Sequence, residues 1–250
     1  MMAKSDRIEE ALAKARQGDL SKARTVSREL GKVPPGHPGL MELAVAAHGM
    51  GDLLLALKFL DRAAVSGSID ALYGRGVLLG ALDRLDEARA ALRKCLERAP
   101  DHEAALTNLG GLEQMAGDPE AAERCYREVL RLSPDAALAL HNLAGLCLAQ
   151  GRQEEAEEFA RRAHGLRPGP DTALRLAAIL GETGRHAEAA DMLRPVIDSY
   201  PGDGRLWRAA GHAANTLGRK SEALAAFRNA QGLDPEDYEA SRMVAILSEG

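Results

Sequence analysis

The apolar positions of this 250-residue chain recur on a period of 32 to 34 residues. Seven alanines mark it: Ala23, Ala56, Ala88, Ala122, Ala156, Ala189 and Ala223, at intervals of 33, 32, 34, 34, 33 and 34. A period of that length signals stacked copies of one small unit. Other columns come into register with the alanines. Twelve residues before each stands a small residue: Ala11, Ala44, Gly76, Gly110, Ala144, Ala177 and Gly211. Five residues before stands glycine (Gly18, Gly51, Gly117, Gly151, Gly184, Gly218), with Asp83 as the exception. Twelve residues after stands proline (Pro35, Pro100, Pro134, Pro168, Pro201, Pro235), with Ser68 as the exception.

Each column has a physical cause. The small residue and the alanine belong to two helices and let their backbones approach closely. The glycine between them can take a left-handed conformation and end the first helix. The proline forbids continuation of the second helix. Asp101, Asp135, Asp171, Asp203 and Asp237 follow at or near the point where a capping residue would start the next one. The predicted unit is therefore helix, tight turn, helix, break. The join at Lys32–Pro38 is the most irregular. The Ser66-Gly67-Ser68 break, short and without proline, predicts a twisted or looser junction.

These columns resemble the tetratricopeptide repeat, whose signature spreads Trp, Leu, Gly and Tyr over the first helix and Ala, Phe, Ala and Pro beyond it. The last full copy matches through Trp207, Gly211, Ala223, Phe227, Ala230 and Pro235, and a middle copy through Leu109, Gly110, Ala122, Tyr126 and Pro134. The resemblance implies an all-α fold, a right-handed superhelical α-solenoid of antiparallel helix pairs. Seven repeats are expected over 4–237 (about 4–36, 37–68, 69–102, 103–136, 137–169, 170–203 and 204–237), with 238–250 as a C-terminal solvating helix. Two residues depart from a column that is usually leucine, Glu10 and Arg75. Glu10 fits the polar outer face of an end cap. Arg75 leaves a salt bridge or groove exposure as alternatives.

Composition narrows the function. Hydrophobic residues make up 46% and aromatics only 3%, so alanine and leucine carry the packing. A net charge of −5 argues against general nucleic-acid binding, which needs a basic stripe. The first ten residues, MMAKSDRIEE, lack the apolar stretch of a secretory signal. No run of about 18 apolar residues suggests a membrane span. Cys95, Cys125 and Cys147 have no metal-ligand spacing and read as small core residues in a reducing cytoplasm. The expected localisation is cytoplasmic.

No phosphate loop, HExxH pair or GxSxG elbow is present. Accordingly no catalytic, cofactor-binding or metal-binding residue is expected, and no cofactor. Glu154, Glu155, Glu157 and Glu158 read as a solvated face with Arg161 and Arg162 at helical spacing.

The family's first helices line a groove that holds an extended peptide, and the resemblance carries that role to specific positions here. Asn108 and Asn142, 34 residues apart, resemble two rungs of an asparagine ladder. An amide both donates and accepts, so it can pair with peptide backbone regardless of side chains. The alternative is a bond within the helix pair. Arg175 takes the equivalent place in the next repeat, and Arg205, Arg208, His212 and Asn215 project from the first helix of the last. His141, Gln114 and Tyr73 are further candidates, while Gly111 and Gly145 keep the groove floor low. Arginines here would favour an acidic segment or a terminal carboxylate, against the alternative of plain solvation. The family's chaperone-tail clamp is matched only by Asn142 and Arg175. Thr107, Gly111 and Asp171 stand at its other three places.

The expected function is a non-catalytic protein-interaction scaffold for a protein or peptide partner, probed in its groove by an acidic segment. Two alternatives stand beside it. Residues 206–235 are similar to repeats that precede bacterial sulfotransferase-like domains, so the chain could be the arm of a larger transferase, sulfotransferase- or glycosyltransferase-like. Self-association of the array is the other.

Overall fold

The computed structural model describes residues 4–249. Among the described residues there are fifteen α-helices, one short 3-10 turn and no strand. Met1–Ala3 and Gly250, the last being the end of the expected solvating helix, lie outside them. The chain divides into two compact units, Met1–Cys125 and Tyr126–Gly250.

The first unit holds α1 (Lys4–Ala15), α2 (Ser21–Ser27), α3 (Gly39–Gly49), α4 (Leu53–Ala64), α5 (Ile69–Ala81), α6 (Leu85–Arg98) and α7 (Glu103–Met115). The helix α8 (Pro119–Leu132) runs through the division. In the second unit follow α9 (Ala137–Ala149), α10 (Gln153–Leu166), α11 (Pro170–Glu182), α12 (His186–Ser199), α13 (Gly204–Thr216), α14 (Lys220–Leu233) and α15 (Tyr238–Glu249). Within the first unit α1 packs on α2, α3 on α4 and α5 on α6; within the second, α9 on α10, α11 on α12 and α13 on α14. In the second unit α9, α11 and α13 also touch in succession, so the first helices of neighbouring pairs stand side by side.

The marker alanines explain the tight pairing. All seven are buried. Their small partners are small for a reason that two cases show directly. A methyl added at Gly76 would come 2.7 Å from Leu92, and one at Gly211 would come 2.9 Å from the Phe227 ring. Each space is filled by the large residue one turn beyond the alanine. The turn glycines are left-handed as expected, with φ between 72° and 79°. Asp83 adopts the same conformation at φ 58° in the one copy without glycine.

Capping differs from the sequence expectation. Of the five aspartates after the proline breaks, Asp203 accepts from Arg205 N and Asp237 from Ala240 N, both at 3.0 Å. His102, not Asp101, caps α7, through Nδ1 accepting from Ala105 N at 3.2 Å. The N-terminal flank of α9 is Ala136, with no side-chain cap, and that of α11 is Gly169 ahead of Pro170. Asp135 and Asp171 therefore do not cap. The proline-to-helix spacing varies by a residue or two, and a cap works only at one position.

The second helices use a device absent from the sequence reading. Where aspartate follows the turn glycine it accepts from the start of the helix: Asp19 from Ser21 N at 2.8 Å, Asp52 from Leu55 N at 3.1 Å and Asp118 from Ala121 N at 2.9 Å. Four other copies carry arginine there. Each reaches a glutamate three residues on, in Arg84–Glu87, Arg152–Glu155, Arg185–Glu188 and Arg219–Glu222. The glutamate then sits in the first turn, where the helix dipole favours it.

Irregular joins are held by side chains. After α2, the 3-10 turn Leu30–Lys32 leads to Val33, whose carbonyl accepts from Arg62 Nε at 2.7 Å. At the proline-free break Gly67 is left-handed at φ 76°, and Ser68 caps α5 by accepting from Ala71 N at 3.4 Å. Arg75 resolves in favour of the salt bridge, with Nε 2.6 Å from Asp61. Glu10 pairs with Lys22 at 2.9 Å. On α15, Leu247 joins Ala223 and Phe227 in one buried cluster, with Met243 and Val244 against it.

Candidate functional site

The expected site residues fall into both units. In the first, Tyr73 stands on α5 and Asn108 and Gln114 on α7. Asn108 Nδ2 donates to the Tyr73 hydroxyl at 3.2 Å. That joins two candidates across neighbouring pairs, a bond different from the intra-pair one weighed for Asn108. The Tyr73 ring lies 4.8 Å from the His102 ring at 33°. Gln114 is exposed near the end of α7.

The remaining candidates belong to the second unit: His141 and Asn142 on α9, Arg175 on α11, and Arg205, Arg208, His212 and Asn215 on α13. Three of them, His141, Arg175 and Arg205, line a cleft of about 580 Å³. Its walls also carry Arg167, Asp171, Leu138 and Tyr200. A second cleft of about 450 Å³ is lined by Arg205, Arg208 and His212 with Glu239. Asn142 is half-buried and Asn215 exposed, and neither lines these clefts.

The arginines differ in what already holds them. Arg205 pairs with Asp203 at 2.7 Å and Asp171 at 3.0 Å. The two acids, Asp203 foremost, push the Arg205 pKa up further, and the Arg205 guanidinium holds the Asp203 carboxyl below its ordinary value. Arg208 reaches Asp237 at 2.8 Å and Glu239 at 3.4 Å, and His212 Nε2 lies 3.0 Å from Glu239. The second cleft is thus internally neutralised, and its groups tie α13 to α15.

Arg175 is held otherwise. It makes no ion pair with the described residues, and its Nε is buried without a hydrogen-bond partner. Its guanidinium lies flat on the backbone of α9 at Gly145, where an added methyl would come 2.8 Å from Cζ. Gly145 keeps the floor low, as expected, and the space is filled by Arg175. The His141 Nδ1 is also buried without a partner. Burial, then the nearby Arg175 charge, holds the His141 pKa below the ordinary imidazole value.

Several lining residues escaped the sequence reading. Leu138 and Asp171 stand three and four residues before His141 and Arg175, so helical spacing would have placed them on the same face. Arg167 and Tyr200 come from the ends of second helices, where the repeat columns carry no signal. On the opposite kind of surface, Glu157 pairs with Arg161 at 2.8 Å and with Arg185 at 2.5 Å, and Glu188 closes the network by contacting both arginines. This keeps the acidic run of α10 as a partly solvated ion-paired face.

Models described as tetratricopeptide repeat match residues 68–135 and 105–168, and a further one matches 174–238, together well over half of the sequence. The chain belongs to the tetratricopeptide repeat family. Solved structures of the same fold accompany that match. A tetratricopeptide repeat protein from Parabacteroides merdae aligns with a TM-score of 0.69 at 20% identity, over 98% of both chains. The Pseudomonas aeruginosa pilF structure aligns at 0.66 and 19%, over 72% of this chain and 83% of its own. YrrB, described as a TPR protein with an unusual peptide-binding site, aligns at 0.59 and 18%, over 73% and 96%. No curated protein matches the sequence. Tetratricopeptide repeats form protein–protein interaction scaffolds, and proteins of this fold are in general non-catalytic. Among the described residues, no helix is long and apolar enough to cross a membrane, and no group of three His, Cys, Asp or Glu is placed to hold a metal.

Proposed function

We propose that this chain is a non-catalytic scaffold that holds an extended acidic peptide segment of a partner protein along its first helices, in seven repeats closed by α15. One observation carries this reading. The cleft of the second unit contains two guanidinium-bearing residues, Arg167 and Arg175, with no carboxylate among the described residues pairing them. An unpaired arginine beside apolar Leu138 and Tyr200 gains charge-assisted hydrogen bonds from an incoming carboxylate. Asn142, half-buried on α9, would contribute backbone-directed amide bonds. YrrB offers a peptide-binding precedent on the same fold. Three cysteines outside any disulfide, with Cys95 and Cys147 buried, support a reducing cytoplasm as the compartment.

The test uses a fluorescein-labelled peptide of ten glutamates and the full chain, read by fluorescence anisotropy. Asn142→Ala with Arg175→Ala should weaken binding at least about tenfold, since each lost charge-assisted bond removes on the order of 1.5–3 kcal/mol. Unchanged binding would show that the segment lies elsewhere.

A further inference from the structure

The cleft of the second unit is better furnished for a dianion than for a single carboxylate. One bidentate arginine satisfies a carboxylate. Here two guanidinium side chains, Arg167 and Arg175, stand without acidic partners, while Arg205 is already held by Asp171 and Asp203. Two buried nitrogens in the same cleft, Arg175 Nε and His141 Nδ1, have no partner. Leaving such groups unmatched is costly: Arg175 Nε is a donor with no acceptor among the described residues, and His141 Nδ1 donates or accepts according to its tautomer. Apolar side chains complete the walls, with Leu138 54% and Tyr200 46% exposed. A cleft of about 580 Å³ has room for a whole side chain with its charged group.

We propose that this cleft receives the phosphorylated side chain of a peptide, with Arg175 as the central guanidinium, Arg167 beside it and His141 Nδ1 facing the same group. A phosphomonoester carries about −1.5 to −2 charges at neutral pH and three acceptor oxygens, which matches two guanidinium groups without an acidic partner among the described residues. An aromatic phosphomonoester also uses the walls formed by Leu138 and Tyr200. Gly145 is the positioning element, because only the missing methyl lets Arg175 lie on α9. This assignment rests on the peptide-scaffold reading above and specifies the acidic group.

The test compares four probes on the full chain: N-acetyl-phosphotyrosine amide, N-acetyl-tyrosine amide, N-acetyl-glutamate amide and inorganic phosphate. Binding is followed by NMR of the histidine ring protons. The phosphotyrosine amide should shift the His141 signals and bind at least about tenfold more tightly than the glutamate amide. Both Arg175→Gln and Gly145→Ala should abolish the shift. The Gly145→Ala variant should do so with an intact helix, since alanine is the better helix former. Circular dichroism checks that both variants remain folded. A glutamate amide that binds as tightly overturns the phosphoryl assignment and leaves the acidic-peptide reading standing. Inorganic phosphate binding as tightly as the phosphotyrosine amide overturns it too, by showing that the walls take no part. If no anion binds, both readings fall together.

Discussion

Glu113 is a carboxylate in an apolar place. It stands nine residues before a marker alanine, the column that holds buried Ala47, Leu79, Cys147, Leu180 and Ala214 in five other copies and exposed Lys14 only in the first. Arg93 Nη2 lies 2.6 Å and Arg89 Nη1 3.2 Å from its oxygens. Exposure decides how this triad responds to mutation. The Glu113 side chain is 3% exposed, whereas Arg93 is 57% and Arg89 24% exposed. Desolvation therefore falls on the carboxylate. If the arginines are removed, by Arg89→Ala with Arg93→Ala, a buried charge is stranded, and the loss should be about 3–5 kcal/mol. If the carboxylate is removed by Glu113→Ala, Arg93 returns to water and Arg89 keeps Asp86 at 2.7 Å. That loss should be about 1–2 kcal/mol, the scale of charged hydrogen bonds without a stranded ion. Adding Glu113→Leu to the double arginine variant should recover most of its loss, because an apolar residue needs no counter-charge.

Repeat arrays open locally, so a global melt blurs these differences. Hydrogen exchange by mass spectrometry over α6 and α7 reports the local free energy directly. The burial argument is refuted if Glu113→Ala costs as much as the double arginine variant, or if Glu113→Leu brings no recovery.

Asp83→Gly should stabilise the α5–α6 turn by about 0.5 kcal/mol, the left-handed penalty less the entropy of glycine; faster exchange at that turn would contradict it. Acidification should weaken the second unit in a defined window. Burial lowers the pKa of both His141 and His164 from 6.5, so the unfolded chain binds more protons as pH falls below that value. Stability should be full above 6.5 and decline as pH falls through the lowered folded values. His164→Asn should flatten urea midpoints between pH 7.5 and 5, and an unaltered slope would discount the effect. Loss through Asp203 and Asp237, whose pKa values are lowered from 3.8, belongs to a separate and more acidic range.

The repeat, its turns and its tight contacts were legible from one sequence because they rest on local chemistry that every copy must satisfy. A left-handed joint selects glycine, a break selects proline, and a close crossing selects alanine, so the columns at Gly151, Pro168 and Ala156 declare themselves. The helix face of each candidate residue followed from the same register. What no column could show was the partner of each charge. Arg175 and Arg205 occupy first helices of adjacent pairs and looked alike. The tertiary structure gave Arg205 the carboxylates of Asp203 and Asp171, the latter 34 residues away. It laid Arg175 over Gly145, with no ion pair to any described residue. Coulombic pairing depends on distances of a few ångströms between neighbouring repeats, and the 34-residue period is blind to them. That difference, set by packing alone, separates an arginine held by two carboxylates from one with no ion pair among the described residues.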